Sequence, residues 1–533
     1  MQGNVEMNML RRFAVGDILR RNALRFPDKR ALIFSSPAGE IIEYTWKEFN
    51  SAINRVANGL LALGIGKGDK VGVFSMNSFQ FAVLMFAPCK IGAIVAPANA
   101  GLRHEELAFV IKHSDDKVLF VQDMLVERIK EIAPAIADVK LGYIGASDGK
   151  GMPEGWVDFD ELLNNSPDDE PKVDIDIDDV ATLTYTSGTE ALPKGAMMTL
   201  GNLCNLMTTL MQWGILPEDV ELHALPLFYT GGVGILTAAL LMGQTVVLAH
   251  SPDPASMARL IQEYQVSLIV LPPTLWVRLL QVSGIEQKVG SMRVGLTFGA
   301  TISEGMIRGW NRIAPQMSWI SYYGQSETSC SGTVGHFKTV DEIPEGDLGW
   351  VGKPVHDLEV KIVDEEDRDV PAGQTGEIVF RGPAVFKGYY KDPKKTDEVF
   401  AGGWLHSGDL GRINESGDLF FVDRKKDMVK SGGENIATAS VEYVVSSHPK
   451  VAEVAAFGVP HPDWMEALTV VVTTINNEAV DEEEIIQFCR QKLPGFKVPK
   501  YVRVVDEFPR NPTGKILKRE LRKKYKDLAS QEE

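Results

Sequence analysis

Residues 183–195 read Leu-Thr-Tyr-Thr-Ser-Gly-Thr-Glu-Ala-Leu-Pro-Lys-Gly. A β-prone run, Ala181 to Tyr185, leads into a loop of hydroxyl and glycine residues closed by Pro193-Lys194-Gly195. Such a loop aims backbone N–H groups, hydroxyls and one ammonium at a single point, as a polyphosphate requires. By itself the stretch also fits a plain surface turn rich in Ser, Thr and Gly. Its surroundings decide between the two.

On either side, short β-branched runs alternate with amphipathic helical stretches. Val71 to Phe74 precedes a helical segment from Ser78 to Ile91, and Val118 to Val121 precedes one from Met124 to Ala133, which Pro134 would end. Ser267 to Leu271 and Val294 to Phe298 are further apolar runs. This rhythm predicts mostly parallel sheets covered by helices, an α/β fold. Ligands in such sheets collect beyond the carboxyl ends of strands. Thr186 to Gly188, Gly299-Ala300 and Tyr323-Gly324 each sit just past a strand, so they converge on one crevice. The longest apolar run, Gly231 to Ala249, reads as a buried helix, a turn at Gly243 and a strand from Thr245, not a membrane span. The acidic stretch Asn164 to Asp179 reads as a solvated connector.

After about residue 345 the character changes. Leu358 to Val363, Glu377 to Arg381 and Leu419 to Asp423 are strands separated by glycine turns with no helix expected between them, an antiparallel barrel-like subdomain. From about Lys426 a smaller α+β unit follows: helix 437–448, strands 451–459 and 468–475, helix 482–492, strand 502–505 and a basic terminal helix.

With 533 residues the chain exceeds one core. Hydrophobic content of 44% and charged content of 24% are those of a water-soluble globular protein. A net charge of −17 argues against nucleic acid as partner. Two basic clusters, Arg424 to Lys430 and Arg510 to Lys526, run against that balance and could draw an anionic nucleotide. The four cysteines are far apart and the histidines form no His-x-x-x-His pair, so neither disulfides nor a built-in transition-metal site is expected. Residues 1–12 lack the apolar core of a signal peptide, and Ser-Gln-Glu-Glu at the end is no peroxisomal address. A cytoplasmic location is expected, and a homodimer is carried as a partner reading.

The order Thr-Ser-Gly-Thr-x-x-x-Pro-Lys-Gly, followed by Pro226-Leu227-Phe228-Tyr229, Phe298-Gly299-Ala300, Tyr323-Gly324-Gln325-Ser326-Glu327, Gly388-Tyr389-Tyr390, Gly408-Asp409, Asp423-Arg424-Lys425-Lys426-Asp427, Gly432-Gly433-Glu434-Asn435 and Pro512-Thr513-Gly514-Lys515, resembles the adenylate-forming superfamily. Within it the chain is similar to the AMP-forming acyl-CoA synthetases that activate fatty and aryl acids. The resemblance runs from about Phe13 to Lys524. It implies a large N-terminal domain, residues 1–425, of two α/β sheets plus a small β-barrel at about 345–425. A small mobile α+β domain, 426–533, would follow.

The implied reaction joins a carboxylic acid to ATP as acyl-AMP with loss of pyrophosphate; coenzyme A then displaces AMP. Bringing a carboxylate to a polyphosphate needs cations and oriented N–H groups. The resemblance implies that Thr186, Ser187, Gly188, Thr189 and Lys194 hold phosphates, with Thr186 also in the catalytic set. Glu327 is the implied Mg²⁺ ligand, a hard carboxylate for a hard cation, with Ser326 near the α-phosphate. Tyr323-Gly324 and Gly299-Ala300 would border adenine. Asp409 would anchor the ribose, and Arg424 would be a second ribose and phosphate contact. Lys515 would bridge carboxylate and α-phosphate during adenylation. Lys426 would be the hinge about which Lys515 withdraws and Gly432-Gly433 approaches for the coenzyme A arm. Tyr229, Gly231, Gly232, Gly234, Gly299 and Tyr322 would line or border the acyl pocket. Leu225 to Leu236 contains no acid or base, so an uncharged apolar tail is preferred, whether fatty, alicyclic or aryl.

Where the family usually has Thr-Gly, this chain has Glu190-Ala191, which motivates a rival reading as a non-catalytic nucleotide-binding relative. A second rival loads a carrier-protein arm, or oxidises the adenylate as luciferases do. Gly145-Ala146-Ser147-Asp148-Gly149 matches a hydrolase nucleophile elbow, but Lys150 to Trp156 is a Gly/Pro loop where that motif needs a helix.

Overall fold

The computed structural model describes residues 2–37, 39–145, 151–186, 193–300, 302–475, 478–510 and 516–529. Two compact units divide the chain: 1–360 with 380–405, and 361–379 with 406–533.

The first unit holds two sheets. One runs Gly388–Tyr389, Lys194–Thr199, Val180–Thr186, Ile94–Ala98, Lys70–Phe74, Asp116–Gln122, Lys140–Ile144, Val157–Asp158. Its central strands pair in parallel, and the end formed by Gly388–Tyr389, Lys194–Thr199 and Val180–Thr186 is antiparallel. The other includes Gly332–Phe337, Ser318–Gly324, Val294–Phe298, Leu268–Leu271, Val220–His223, Thr245–Ala249, Arg30–Ser35 in that order. From Ser318–Gly324 to Arg30–Ser35 every pairing is parallel. The alternation of β-branched runs and helices is thus realised as two α/β layers.

One core joins them, containing Val73, Phe74 and Leu119 of the first sheet and Leu32, Val246 and Leu248 of the second. Helix Phe79–Lys90 belongs to it and is buried on every face; Ser78 starts it by accepting from the Phe81 N–H. Helix Thr230–Met242 ends at Gly243, whose φ of 82° is left-handed, and the strand follows, as expected. Among the described residues no helix is long and apolar enough to cross a membrane.

Most of the acidic connector is exposed, as expected, while Glu170 within it is half-buried. Glu170 takes the Lys90 ammonium, 2.9 Å away, on a lysine side chain only 1% exposed. A buried cation requires a carboxylate, and the connector supplies it. Burial, partly offset by Glu170, pulls the Lys90 pKa down to about 8.

In the second unit, strand Leu405–Ile413 pairs antiparallel with Leu419–Arg424. A further sheet runs Glu434–Ile436, Val429–Ser431, Met465–Thr474, Val451–His461, with Tyr501–Val504 beside Met465–Thr474. Its faces carry separate cores. Ala456, Val470 and Val472 meet Val441, Val445, Ile485 and Cys489 of helices Thr438–Ser446 and Glu482–Lys492. Ala455, Phe457 and Val471 meet Leu521 of helix Lys518–Tyr525. The expectation of no helix between the strands after 345 is corrected. Helix Pro393–Val399 forms there because Asp392 caps it, accepting from the Lys395 N–H at 3.0 Å, and proline suits the first turn. Segments 361–379 and 406–425, read as part of the large domain, cluster with the C-terminal unit.

Candidate active site

Strand Val180–Thr186 is hydrogen-bonded antiparallel to Lys194–Thr199, with Thr186 opposite Lys194 and Tyr185 opposite Gly195. The two ends of the Ser/Thr/Gly loop are therefore already neighbours in a β-hairpin. Ser187, Gly188 and Thr189, with Glu190-Ala191, lie outside the described residues, as does the Thr186 side chain. Ala146 to Gly149 of the hydrolase-like pattern also lie outside them.

Tyr389 joins this hairpin to the end of the other sheet. It pairs with Ala196 at the sheet edge. Its ring receives the Lys194 ammonium 5.8 Å from the centroid, and its hydroxyl donates to Glu327 Oε1 at 2.7 Å. Glu327 lies in the 3₁₀ turn Ser326–Thr328, just past strand Ser318–Gly324, and the Phe386 N–H donates to its carbonyl at 2.9 Å. Gly388-Tyr389-Tyr390 is part of the family pattern, but the sequence assigns Tyr389 no role. The signal was the motif itself; the partner is 62 positions away.

A polar cluster backs the hairpin. His113 Nδ1 lies 2.9 Å from the Tyr185 hydroxyl. Tyr390 donates its hydroxyl to Asp115 at 2.7 Å and its N–H to the Gly195 carbonyl at 2.8 Å. Burial, then Lys391, holds the His113 pKa below the ordinary histidine value.

Gly299 has a φ of 78° and follows strand Val294–Phe298 with Ala300, both exposed. Phe298 is in register with Tyr322, so Gly299-Ala300 and Tyr323-Gly324 occupy adjacent strand ends. Tyr323 stacks on Phe380, centroids 6.0 Å apart.

At the acyl side, Tyr229 precedes helix Thr230–Met242, and its hydroxyl accepts from Asn99 Nδ2 at 2.9 Å. A Cβ on Gly231 would meet nothing within 4 Å, whereas one on Gly232 would stand 2.0 Å from the Pro226 carbonyl oxygen. Gly232 is thus a glycine of close packing, and the open side is at Gly231. Tyr322 is buried with its ring edge-on to Trp213.

The remaining candidates belong to the second unit. Asp409 and Arg424 are cross-strand partners, Arg424 Nε 3.8 Å from Asp409 Oδ1. Glu377 accepts from the Gly408 N–H and from Lys425, both at 3.0 Å. Burial pushes the Glu377 pKa up, but Lys425 and that N–H outweigh it and hold the carboxyl below its ordinary value. Lys426, in the turn after Arg424, has its pKa lowered by burial and then by Arg424. Gly432 and Gly433, φ 59° and 87°, form the two-residue hairpin turn between Ser431 and Glu434. Lys515 lies outside the described residues.

Comparison with known proteins fits this arrangement. Residues 19–390 match the AMP-binding enzyme family and residues 440–515 the AMP-binding enzyme C-terminal domain. The chain is 32% identical over 484 residues to a feruloyl-CoA synthase of Amycolatopsis sp, covering 90% of this chain and 94% of that one. It is 30% identical over 519 residues to the long-chain-fatty-acid–CoA ligase FadD13 of Mycobacterium tuberculosis, covering 96% and 98%. The solved structure of ATP-bound MatB from Rhodopseudomonas palustris superposes with a TM-score of 0.84 at 29% identity, over 97% of this chain and 100% of that one. The chain belongs to the AMP-binding enzymes, as an AMP-forming acyl-CoA synthetase. Members of this class are acid–thiol ligases that use ATP with Mg²⁺ and coenzyme A.

Among the described residues no group of three or more His, Cys, Asp or Glu side chains is placed to hold a metal. Mg²⁺ held by one carboxylate and substrate phosphate oxygens needs no such group, and Glu327 beside the phosphate hairpin fits that donor set.

Proposed function

We propose that this ligase activates a carboxylic acid with an uncharged tail, with the phosphate hairpin and Glu327 acting as one device. The carrying observation is the Lys194–Tyr389–Glu327 chain of contacts, which brings a phosphate-seeking cation and a magnesium-seeking carboxylate to one phenol. Lys194, with the hydroxyls and N–H groups of Thr186, Ser187, Gly188 and Thr189, would orient the β- and γ-phosphates. Glu327 would hold Mg²⁺, which supplies charge neutralisation on the phosphate oxygens, and Ser326 would lie near the α-phosphate. Gly299-Ala300 and Tyr323-Gly324 would receive adenine, while Asp409 would accept from both ribose hydroxyls, with Arg424 as the second ribose and phosphate contact.

In the first half-reaction the substrate carboxylate oxygen bonds to the α-phosphorus and pyrophosphate leaves, Lys515 offsetting the charge that builds between them. In the second, the coenzyme A sulfur bonds to the acyl carbon and AMP leaves, the thiol proton being released. The Gly432-Gly433 turn would let the pantetheine arm run against backbone. Residues 426–533 would act as the carrier of both Lys515 and this turn, pivoting at Lys426. All four cysteines are free, which supports a reducing, cytoplasmic setting.

ATP–pyrophosphate exchange over a panel of carboxylic acids, repeated with coenzyme A, tests the reading. Acid-dependent exchange with thioester formation is expected. Exchange without thioester points to a carrier-protein acceptor, and no acid-dependent exchange points to a non-catalytic relative.

A further inference from the structure

Behind the phosphate hairpin His113 is wedged between two tyrosines. It lies near the end of helix His104–Ser114 and places Nδ1 2.9 Å from the Tyr185 hydroxyl. Its ring stands edge-on to Tyr185 and to Tyr390, with centroids 5.8 Å apart in each case. Tyr185 is buried and sits across the ladder from Gly195, where an added Cβ would stand 3.4 Å from the tyrosine Cζ. Tyr390 reaches the same glycine by donating its N–H to the Gly195 carbonyl at 2.8 Å. Its hydroxyl donates to Asp115, which also takes the Lys391 ammonium, each at 2.7 Å. This brace therefore converges on Gly195, the neighbour of Lys194, and on Tyr185, the neighbour of Thr186.

The bond between His113 and Tyr185 has a direction. Burial, then Asp116, raises the Tyr185 pKa, so the phenol keeps its proton. Burial, then Lys391, lowers the His113 pKa, so the imidazole is neutral at pH 7 and above. A neutral ring has one bare nitrogen, and the phenol donates to Nδ1 when Nε2 carries the ring proton. Protonation would make Nδ1 a donor, and the buried phenol proton would lose its acceptor. The charged groups around the ring are Asp115 on its own segment, Lys391 and Asp392 beyond Tyr390, and Asp116 near Tyr185. Lys70 lies over the Tyr390 ring, 5.1 Å from its centroid.

We infer that His113 is a positioning residue for ATP: by accepting from Tyr185 it fixes the strand that ends at Thr186 and the glycine beside Lys194, and so sets where the hairpin receives the triphosphate. This rests on the ligase reading and adds a residue that acts through the hairpin.

The test measures both half-reactions of the full chain with the best acid of the exchange panel. His113→Leu should lower kcat/KM for ATP by about fivefold or more at pH 8, chiefly through KM. Thioester formation from preformed acyl-AMP, which uses no triphosphate, should stay within about twofold. His113→Asn should recover most of the loss, because its Oδ1 takes the place of Nδ1 as acceptor and does not titrate. The ratio of wild type to His113→Asn cancels the titration of ATP itself, and it should fall as the pH drops below 6.5, through the His113 pKa. Tyr185→Phe, which keeps the ring against Gly195 and removes the hydroxyl, should raise the KM for ATP in the same way and stands in should His113→Leu fail to fold. Wild-type KM in the folded variants, equal loss in both half-reactions, or a pH-independent ratio overturns the proposal and leaves the ligase reading intact. No exchange by the wild type with any acid of the panel overturns the ligase reading and this one with it.

Discussion

Tyr389 donates its hydroxyl to Glu327 Oε1 at 2.7 Å, binding an edge strand of one sheet to the turn that ends a strand of the other. A hydrogen bond to a charged group contributes about 1.5–3 kcal/mol, so Tyr389→Phe should cost roughly 10- to 100-fold in pyrophosphate release. The Mg²⁺ concentration for half-maximal rate should rise with it. Titrating Mg²⁺ against rate checks this; an unchanged Mg²⁺ dependence would mean that Tyr389 does not position Glu327.

Asp409 and Arg424 face one another across a strand pair. On its proposed role as acceptor for both ribose hydroxyls, Asp409→Ala should raise the KM for ATP by about 10-fold or more. Arg424→Lys should behave as a loss as well, since an ammonium cannot reproduce the guanidinium fork. Steady-state kinetics with varied ATP reads both.

The two half-reactions should separate by mutation. Lys515→Ala should slow acyl-AMP formation by about 100-fold or more while leaving thioester formation from preformed acyl-AMP within a few fold. Gly433→Val should do the reverse: φ of 87° strains any branched residue, and the side chain would crowd an incoming thiol arm. Rapid-quench assays of each half-reaction decide; equal loss in both would remove the assigned roles.

Neighbouring glycines on one helix should respond differently. Gly232→Ala places a methyl 2.0 Å from the Pro226 carbonyl oxygen and should destabilise by about 1–3 kcal/mol without changing which acids are used. Gly231→Ala meets open space and should leave stability nearly unchanged while altering the KM for the acid. Thermal melts beside the exchange panel test the contrast.

Lys90 carries a pH signature. Its folded pKa of about 8 lies below the ordinary lysine value of 10.5, so above pH 8 the unfolded chain holds more protons there. Stability referable to this side chain therefore rises with pH between 8 and 10.5, and amounts to about 3 kcal/mol when complete. Relative to Lys90→Met, wild-type stability should improve across that window; a flat difference would show that Lys90 titrates normally.

Much of the fold was legible because its signals are local. Helix Glu482–Lys492 and strand Val294–Phe298 lie where periodicity puts them. Strand Lys194–Thr199 was not legible: Lys-Gly-Ala-Met-Met-Thr lacks alternation and becomes a strand only by pairing with Val180–Thr186. Strand Leu405–Ile413 was hidden by its polar start, His406-Ser407-Gly408-Asp409, which reads as a ligand motif. The individual site motifs could be picked out, but not what joins them. Tyr389 reaches Glu327 and Lys194, and Glu170 reaches Lys90, through tertiary contacts that leave no periodic trace.

Because Thr186 and Lys194 already face each other across a ladder, most of the entropy of closing the intervening loop is met before that loop takes any shape. The tip can then be lengthened, shortened or exchanged like an interchangeable bit in a fixed chuck, with little penalty to folding. Glu190-Ala191 falls between those two paired residues in the sequence, so an exchange there leaves the pairing of Thr186 with Lys194 in place.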